Sequence, residues 1–275
     1  MKKLMTAILL TLSVCMVTAC SSPNKVDEKA VEEFNNAIKA TQKLQSFDAE
    51  MKMLLDANDM NMHMKFAFDG SHINKNPMQI KGNVDFAANG FKLEDIAKIY
   101  AKDNKVYVNI LEEKFYISFE KYLTGLPKDI TVKEMEDNLD EFTLKEENGV
   151  KTLEGTFNEK YLKETTDYTS NNLKAEITEG VEVDKINSAT LKATIHKDGY
   201  LENLEFLMNV TYINTSDKDK KVTVPMDIKM TATFKNANKV ESITYPNLKD
   251  YKEYKGDLND FGSFTNGIDN IENAV

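Results

Sequence analysis

Met60-Asn61-Met62-His63-Met64, with Met51 and Met53 shortly before it, is the densest run of potential ligands in this sequence. Thioethers beside an imidazole are the soft donors that hold Cu(I). Alternation argues against a metal. Residues two apart in a strand share a face, so Met60, Met62 and Met64 lie with Phe66 and Phe68 while His63 points the other way. The run continues an apolar surface and does not converge on an ion. Met is unbranched and polarizable, and it recurs on surfaces that must fit variable apolar shapes. With Met208, Met226 and Met230 from a later block of strands, eight Met fall on one predicted inner face.

The remaining chemistry is sparse. The sequence has no Gly-x-Ser-x-Gly elbow, no Walker A loop, no His-Glu-x-x-His and no Gly-x-Gly-x-x-Gly. Its three His (His63, His72 and His196) fall on outward strand faces or in turns. The pairs Glu112-Glu113 and Asp217/Asp219 sit in turns, where acidic side chains bond locally. Asp257-Leu258-Asn259-Asp260-Phe261-Gly262 has Phe where a calcium loop needs an oxygen, and Ile268 where it needs Glu. We therefore expect no catalytic residue, no metal, no cofactor and no enzymatic activity.

Met1 to Cys20 reads as a processing segment. Lys2 and Lys3 precede an apolar run, Leu4 to Val17, that is shorter than the roughly 20 residues a membrane span needs. Val17-Thr18-Ala19-Cys20 followed by Ser21-Ser22 resembles the bacterial lipobox, which implies cleavage after residue 19 and a diacylglyceryl (palmitate-type) anchor on Cys20. Two acyl chains anchor stably where one is marginal. The expected location is the extracytoplasmic face of the cell membrane. Cys15 leaves with the signal, so no thiol remains for a disulfide, a nucleophile or zinc.

Charge narrows the partners. Removing Lys2 and Lys3 leaves 33 basic residues, all Lys, against 45 acidic ones, a net −12. Nucleic acid is excluded as a partner on that balance. The lack of Arg also removes the bidentate clamp for phosphate. The Lys, Asn, Asp and Ile bias without Trp resembles the product of an AT-rich, low-GC Gram-positive genome.

The elements that must position the Met face follow in order. Residues 20–25 form a lipidated tether. Asp27 caps a helix running to about Gln45, whose stripe of Ala30, Phe34, Ala37, Ile38, Thr41 and Leu44 stands ready to cover the next hairpin. That hairpin is Phe47 to Phe68, turning at Asp56 to Asp59. Met78 to Phe86 makes a third strand, with Gly82 as the expected bulge. Ile96–Ala101, Val106–Ile110 and Phe115–Phe119 complete a six-strand meander, with tight turns at Asp103-Asn104 and Glu112-Glu113. Thr131 to Phe142 reads as a short helix or surface loop, Val150 to Phe157 as one strand. Asn158 to Leu173 is a second helix whose apolar side includes Tyr161, Leu162, Thr165 and Tyr168. Strands from Ala189 to Ile195, Leu204 to Tyr212 and Val222 to Phe234 follow, the first two joined by Lys197-Asp198-Gly199. Pro225 marks an edge or bulge, and Val240 to Tyr245 closes the sheet. From Gly256 to Val275 an acidic tail is expected.

The predicted fold is α+β: a strongly curved antiparallel sheet of about ten strands, an open half-barrel over residues 26–255, with helices packed on its concave face. Whether the two strand blocks form one sheet or two stays open at this stage. The lipobox, the helix leading into a Met-rich strand pair, the meander, the central helix and the closing run Val222 to Pro246 resemble uncharacterised Gram-positive lipoproteins of the LolA/LppX-like superfamily. The closing run carries Asn238-Lys239-Val240 as a turn and ends in Ile243-Thr244-Tyr245-Pro246. The resemblance implies binding of acyl chains between sheet and helices, and brings no catalytic residues.

Two readings of the Met face result. In the first, Met51, Met53, Met60, Met62, Met64, Phe66, Phe68, Met208, Met226 and Met230 line a site for a lipid or other hydrophobic envelope ligand. In the second they fill a solid core, and the protein is a structural or interaction module whose outer face or tail docks an envelope protein.

Overall fold

The computed structural model describes residues 25–57, 60–71, 79–88, 90–110, 113–118, 130–173, 181–214 and 222–254. The expected signal, Cys20, most of the tether, His72, the Glu112 turn position and the tail from Gly256 lie outside these residues.

The chain enters along the edge of the sheet. β1 (Lys25–Val26) pairs in parallel with β8 (Leu139–Glu147), and the Asp27 N–H donates to the Phe142 carbonyl at 2.9 Å. The Asp27 carboxylate then accepts from the Lys29 N–H at 2.9 Å and caps α1 (Glu28–Gln42). Ala30, Val31, Phe34 and Ala37, spaced one, three and three apart, form its buried face. Burying Val31 and Phe34 contributes roughly 1.5–3 kcal/mol each. The entry along β8 decides what this helix covers. Expected over the hairpin that follows it, α1 packs mainly on β8 and β11 (Leu201–Asn214), and only the end of its stripe, Ala40 and Leu44, reaches Phe47 and Ala49 of the hairpin. Its last turn is tied there by Thr41, whose hydroxyl accepts from the Leu201 N–H at 2.9 Å.

The expected meander is present in sequence order: β2 (Ser46–Ala57), β3 (Met60–Ser71), β4 (Gln79–Ala88), β5 (Phe91–Lys102), β6 (Lys105–Ile110) and β7 (Glu113–Ser118). Asp103 and Asn104 have φ of 52° and 58°, the doubly left-handed turn that suits a two-residue hairpin. Gly82 is not the bulge. It sits in register opposite Phe68 and Ile99, while the irregularity falls between Val84–Ala97 and Phe86–Leu93. β5 supplies the extra residues, turning at Asp95 (φ 55°), whose N–H donates to Asp85 at 2.9 Å.

The second block holds a strand the sequence reading missed. Thr131 and Glu134 form a capping box that starts α2 (Val132–Asn138). β8 follows at once and pairs with β9 (Val150–Phe157) through Asn148 and Gly149, both at positive φ. A register shift between Leu139 and Glu141 breaks the alternation that would have revealed β8. Asn158 caps α3 (Glu159–Leu173) by accepting from the Tyr161 N–H at 2.9 Å. Tyr161 is buried as expected; Tyr168, expected on the same side, is 53% exposed. β10 (Val181–Ile195) begins eight residues before the expected strand. It pairs with β9 and β11, and β11 with β12 (Val222–Lys235).

β12 then pairs with β2, Met230 opposite Met53, so the two blocks are one sheet. Pro225 lies where β12 pairs only with β11, before its ladder to β2 begins at Asp227. Among the described residues the sheet has thirteen strands in the order β1-β8-β9-β10-β11-β12-β2-β3-β4-β5-β6-β7-β13 and is open at both ends. β8 and two short edge strands add to the expected set, from which Val240 to Tyr245 drops out. β1 and β13 (Lys252–Glu253) each lie parallel to their neighbour and cover an otherwise free edge.

The main core lies under the helices. Phe142, Leu139, Leu153, Val31 and Val210 are the largest fully buried side chains. Phe34 meets Phe142 edge to face at 5.8 Å, and Phe157 packs between Tyr161 and Phe206 at 4.4 and 5.5 Å.

Val240 to Tyr245 is not a strand. Asn236 and Asn238, at φ of 51° and 59°, turn the chain out of line with β12, and the Asn238 and Val240 N–H groups donate to Ser46. The segment runs on to the far end of the sheet. There the Tyr245 hydroxyl donates to the Ala101 carbonyl at 2.9 Å. Burial, with Asp103 adding to it and a backbone hydrogen bond from Ile80 partly opposing it, pushes this phenol up to about 12. Burial likewise raises Tyr200, Tyr212 and Tyr251. The folded state therefore holds these protons longer than the unfolded chain. Their contribution is intact below the ordinary phenol value of 10.0 and is lost as pH rises toward 12. Urea midpoints at pH 9 and 11 should show that loss, and Tyr245→Phe should reduce it; an identical drop in the variant would contradict the assignment.

Candidate functional site

The strand registers assemble the Met face row by row. Directly opposite residues on neighbouring strands share a face. One row runs Leu191, Phe206, Met230, Met53, Met64, Phe86 from β10 to β4. The row beside it runs Ala189, Met208, Ile228, Leu55, Met62, Ala88. On the other side Ala232, Met51, Phe66 and Val84 align, and beyond them Phe234, Ala49 and Phe68. Met226 pairs with Val210, and Met60 with Ala57. All ten expected lining positions thus fall on one face, and the register across the β12–β2 seam brings the two sets together.

This is also the face the helices cover, but only in part. α1, α2 and α3 make their main sheet contacts on β8, β10 and β11. Beyond that cover Met51, Met53, Leu55, Met226 and Met230 are half-buried. Met208 and Met230 bridge two packed groups, the helix-covered core and the cluster of Ile186, Val210 and Ile228. Met51 packs against a third, around Val84 and Ala97. Methionines join the clusters and leave a strip of apolar surface beside the helices. For Met60, Met62, Met64, Phe66 and Phe68 the placement is that of the backbone register alone.

Charge is sorted to the opposite face. Glu50 pairs with Lys52 at 2.7 Å and Lys65 at 3.4 Å, Glu205 with Lys229 at 2.5 Å, and Glu154 with Lys145 and Lys192 at 2.5 and 3.0 Å. The Lys52 hydrogen bond holds Glu50 below its usual range, and the Lys145 and Lys192 hydrogen bonds do the same for Glu154. Along β2, β3, β11 and β12 these charged residues alternate with the Met positions. A charged back and an apolar front can hold an apolar molecule by burial, without directed polar contacts.

His196 sits in the β10–β11 turn, as expected, stacked on Tyr200 at 4.4 Å and accepting from the Asp198 N–H. It touches no residue of the Met face in these contacts. The sequence reading named no particular residue on the reverse of the meander, only an outer face that could dock a partner. The structure opens a cavity of ≈ 680 Å³ there, between β5, β6 and the segment around Tyr245. Its one legible signal was the outward parity of Tyr100, Tyr107 and Tyr116.

Known proteins give a sparse frame. No curated protein matches the chain significantly. Among solved structures the chain is similar to LprF from Mycobacterium bovis (13% identity, 81% of this chain and 98% of that one, TM-score 0.34). It is also similar to the LolA superfamily protein NE2245 from Nitrosomonas europaea (10%, 78% and 94%, 0.24). A DUF1329 family protein from Desulfovibrio piger is a third (10%, 81% and 97%, 0.28). The architecture stands on the chain's own strand order. The model of DUF6612, described as a family of unknown function, matches residues 29–248, from the first turn of α1 through the strap that follows β12, and the chain belongs to that family.

Proposed function

We propose that this protein is a membrane-anchored extracytoplasmic lipoprotein, held by a diacylglyceryl group on Cys20, that binds a lipid or other hydrophobic envelope ligand on the Met face without covalent chemistry. The observation that carries the reading is the half-buried methionine strip at the β11–β12–β2 seam, continuous with helix-covered core on one side. A solid core would bury these side chains as it buries Phe142 and Leu153.

The dimensions suit one acyl chain. From Phe206 on β11 to Phe86 on β4 the row crosses four strand intervals of about 4.8 Å, roughly 19 Å, close to the length of an extended palmitoyl chain. Each methylene buried contributes about 0.8 kcal/mol. After ordering and association costs, affinity on the order of micromolar is expected for an open face. Displacement of a fluorescent fatty acid by palmitate tests the reading. Saturable binding of one chain per protein supports it, and unsaturable, detergent-like partitioning rules it out.

A further inference from the structure

The reverse face of the meander carries five clustered tyrosines beside a groove. Tyr100, Tyr107 and Tyr116 lie directly opposite one another on β5, β6 and β7, on the side away from the Met face. The strap lays Tyr245 and Tyr251 across them: Tyr100 meets these rings at 6.3 and 6.5 Å, and Tyr107 meets Tyr251 at 5.5 Å. The cavity of ≈ 680 Å³ opens beside this cluster, walled by half-buried Tyr107, Tyr116 and Tyr245. Lys102 stands over the Tyr245 ring at 5.4 Å and Lys105 over the Tyr116 ring at 4.2 Å. Lys249 completes the rim, against one carboxylate, Asp103. Among the described residues none of the three ammonium groups lies within ion-pair distance of a carboxylate.

We propose that this groove binds an anionic glycan, a chain of sugar or polyol units carrying phosphate or carboxylate groups. Tyrosine rings offer flat apolar surfaces to the C–H faces of sugar units, with hydroxyls in reach of theirs. Lysine ammonium groups act as point charges for phosphate or carboxylate, a role that needs no guanidinium fork. A positive groove on a chain of formal charge −10 concentrates anions where the rest of the surface repels them. An extended peptide fits less well, because β13 already pairs with Phe115 and Tyr116 and interrupts the β7 ladder that a peptide would join. The site is independent of the Met face.

The test is calorimetry on the full chain in phosphatidylcholine nanodiscs, titrated with trigalacturonate, with a glycerol phosphate trimer and with neutral maltotriose. At least one anionic probe should bind tenfold or more tightly than maltotriose and weaken with salt; which one binds separates carboxylate from phosphate recognition. Lys105→Gln and Lys249→Gln should each weaken that probe at least threefold with melting unchanged, and Met53→Phe should leave it unaltered. Absence of binding by both anionic probes, parity with maltotriose, or indifference to both lysine variants would overturn the proposal. So would capture by phosphatidylglycerol vesicles alone, which would mark a membrane-facing patch.

Discussion

Phe142→Ala is expected to cost about 3–5 kcal/mol of folding free energy, the range for truncating a fully buried aromatic side chain. Phe142 is 0% exposed and holds three elements at once. Its ring meets Phe34 of α1 at 5.8 Å, its carbonyl receives the Asp27 N–H, and its ring lies over Gly155 of β9. A Cβ built on Gly155 would come within 2.9 Å of that ring and 3.4 Å of the Glu141 carbonyl. Little room exists for the surroundings to collapse into the space left by the ring. Against a typical total of about 5–15 kcal/mol, the variant should lose a large share of its stability. Gly155→Ala tests the same contact from the other side and should cost about 1–3 kcal/mol by overpacking. Urea denaturation measures both. A loss below about 1 kcal/mol for Phe142→Ala would mean that α1 is not seated on β8 as described.

The second expected result concerns the seam. Met53→Phe combined with Met230→Phe adds two rings at directly opposed positions of β2 and β12, where both methionines are half-buried. Because no described element closes over the strip, the added volume projects into the proposed ligand space, and the strain of filling a sealed core is avoided. Fatty-acid affinity should fall at least tenfold, about 1.4 kcal/mol or more, with a melting temperature within a few degrees of the parent. If the methionines instead belong to a solid core, the pair should destabilise the protein clearly, and there would be no binding to lose. The two readings separate on one pair of measurements.

Much of this organisation is legible in the amino-acid order, and the failures have physical causes. Strict alternation from Phe47 to Phe68 and from Val222 to Phe234 revealed β2, β3 and β12, because one face of each must be apolar. Asp27 and Asp103-Asn104 marked a cap and a turn through their side-chain and backbone preferences. β8 was hidden by the shift after Leu139, which destroys the two-residue period, and by the charged Lys145-Glu146-Glu147 at its end. Asn148-Gly149 was nonetheless a hairpin signal in plain sight. The β12–β2 pairing joins Met230 to Met53 across most of the chain, and no local pattern encodes such a distant partner. Without it, one sheet could not be told from two. The tyrosine groove was hidden for the same reason, since Tyr245 and Tyr251 reach it only after the strap leaves Asn236 and Asn238.

The binding proposal stands or falls on what the folded protein carries. The chain from Ser21 onward, purified without detergent beside an unrelated control protein, should release a stoichiometric lipid or other apolar molecule into an organic extract read by mass spectrometry. An extract no richer than the control's, together with no saturable uptake of fluorescent fatty acid, would contradict a ligand on the Met face. The protein would then be an interaction module whose methionines only fill its core.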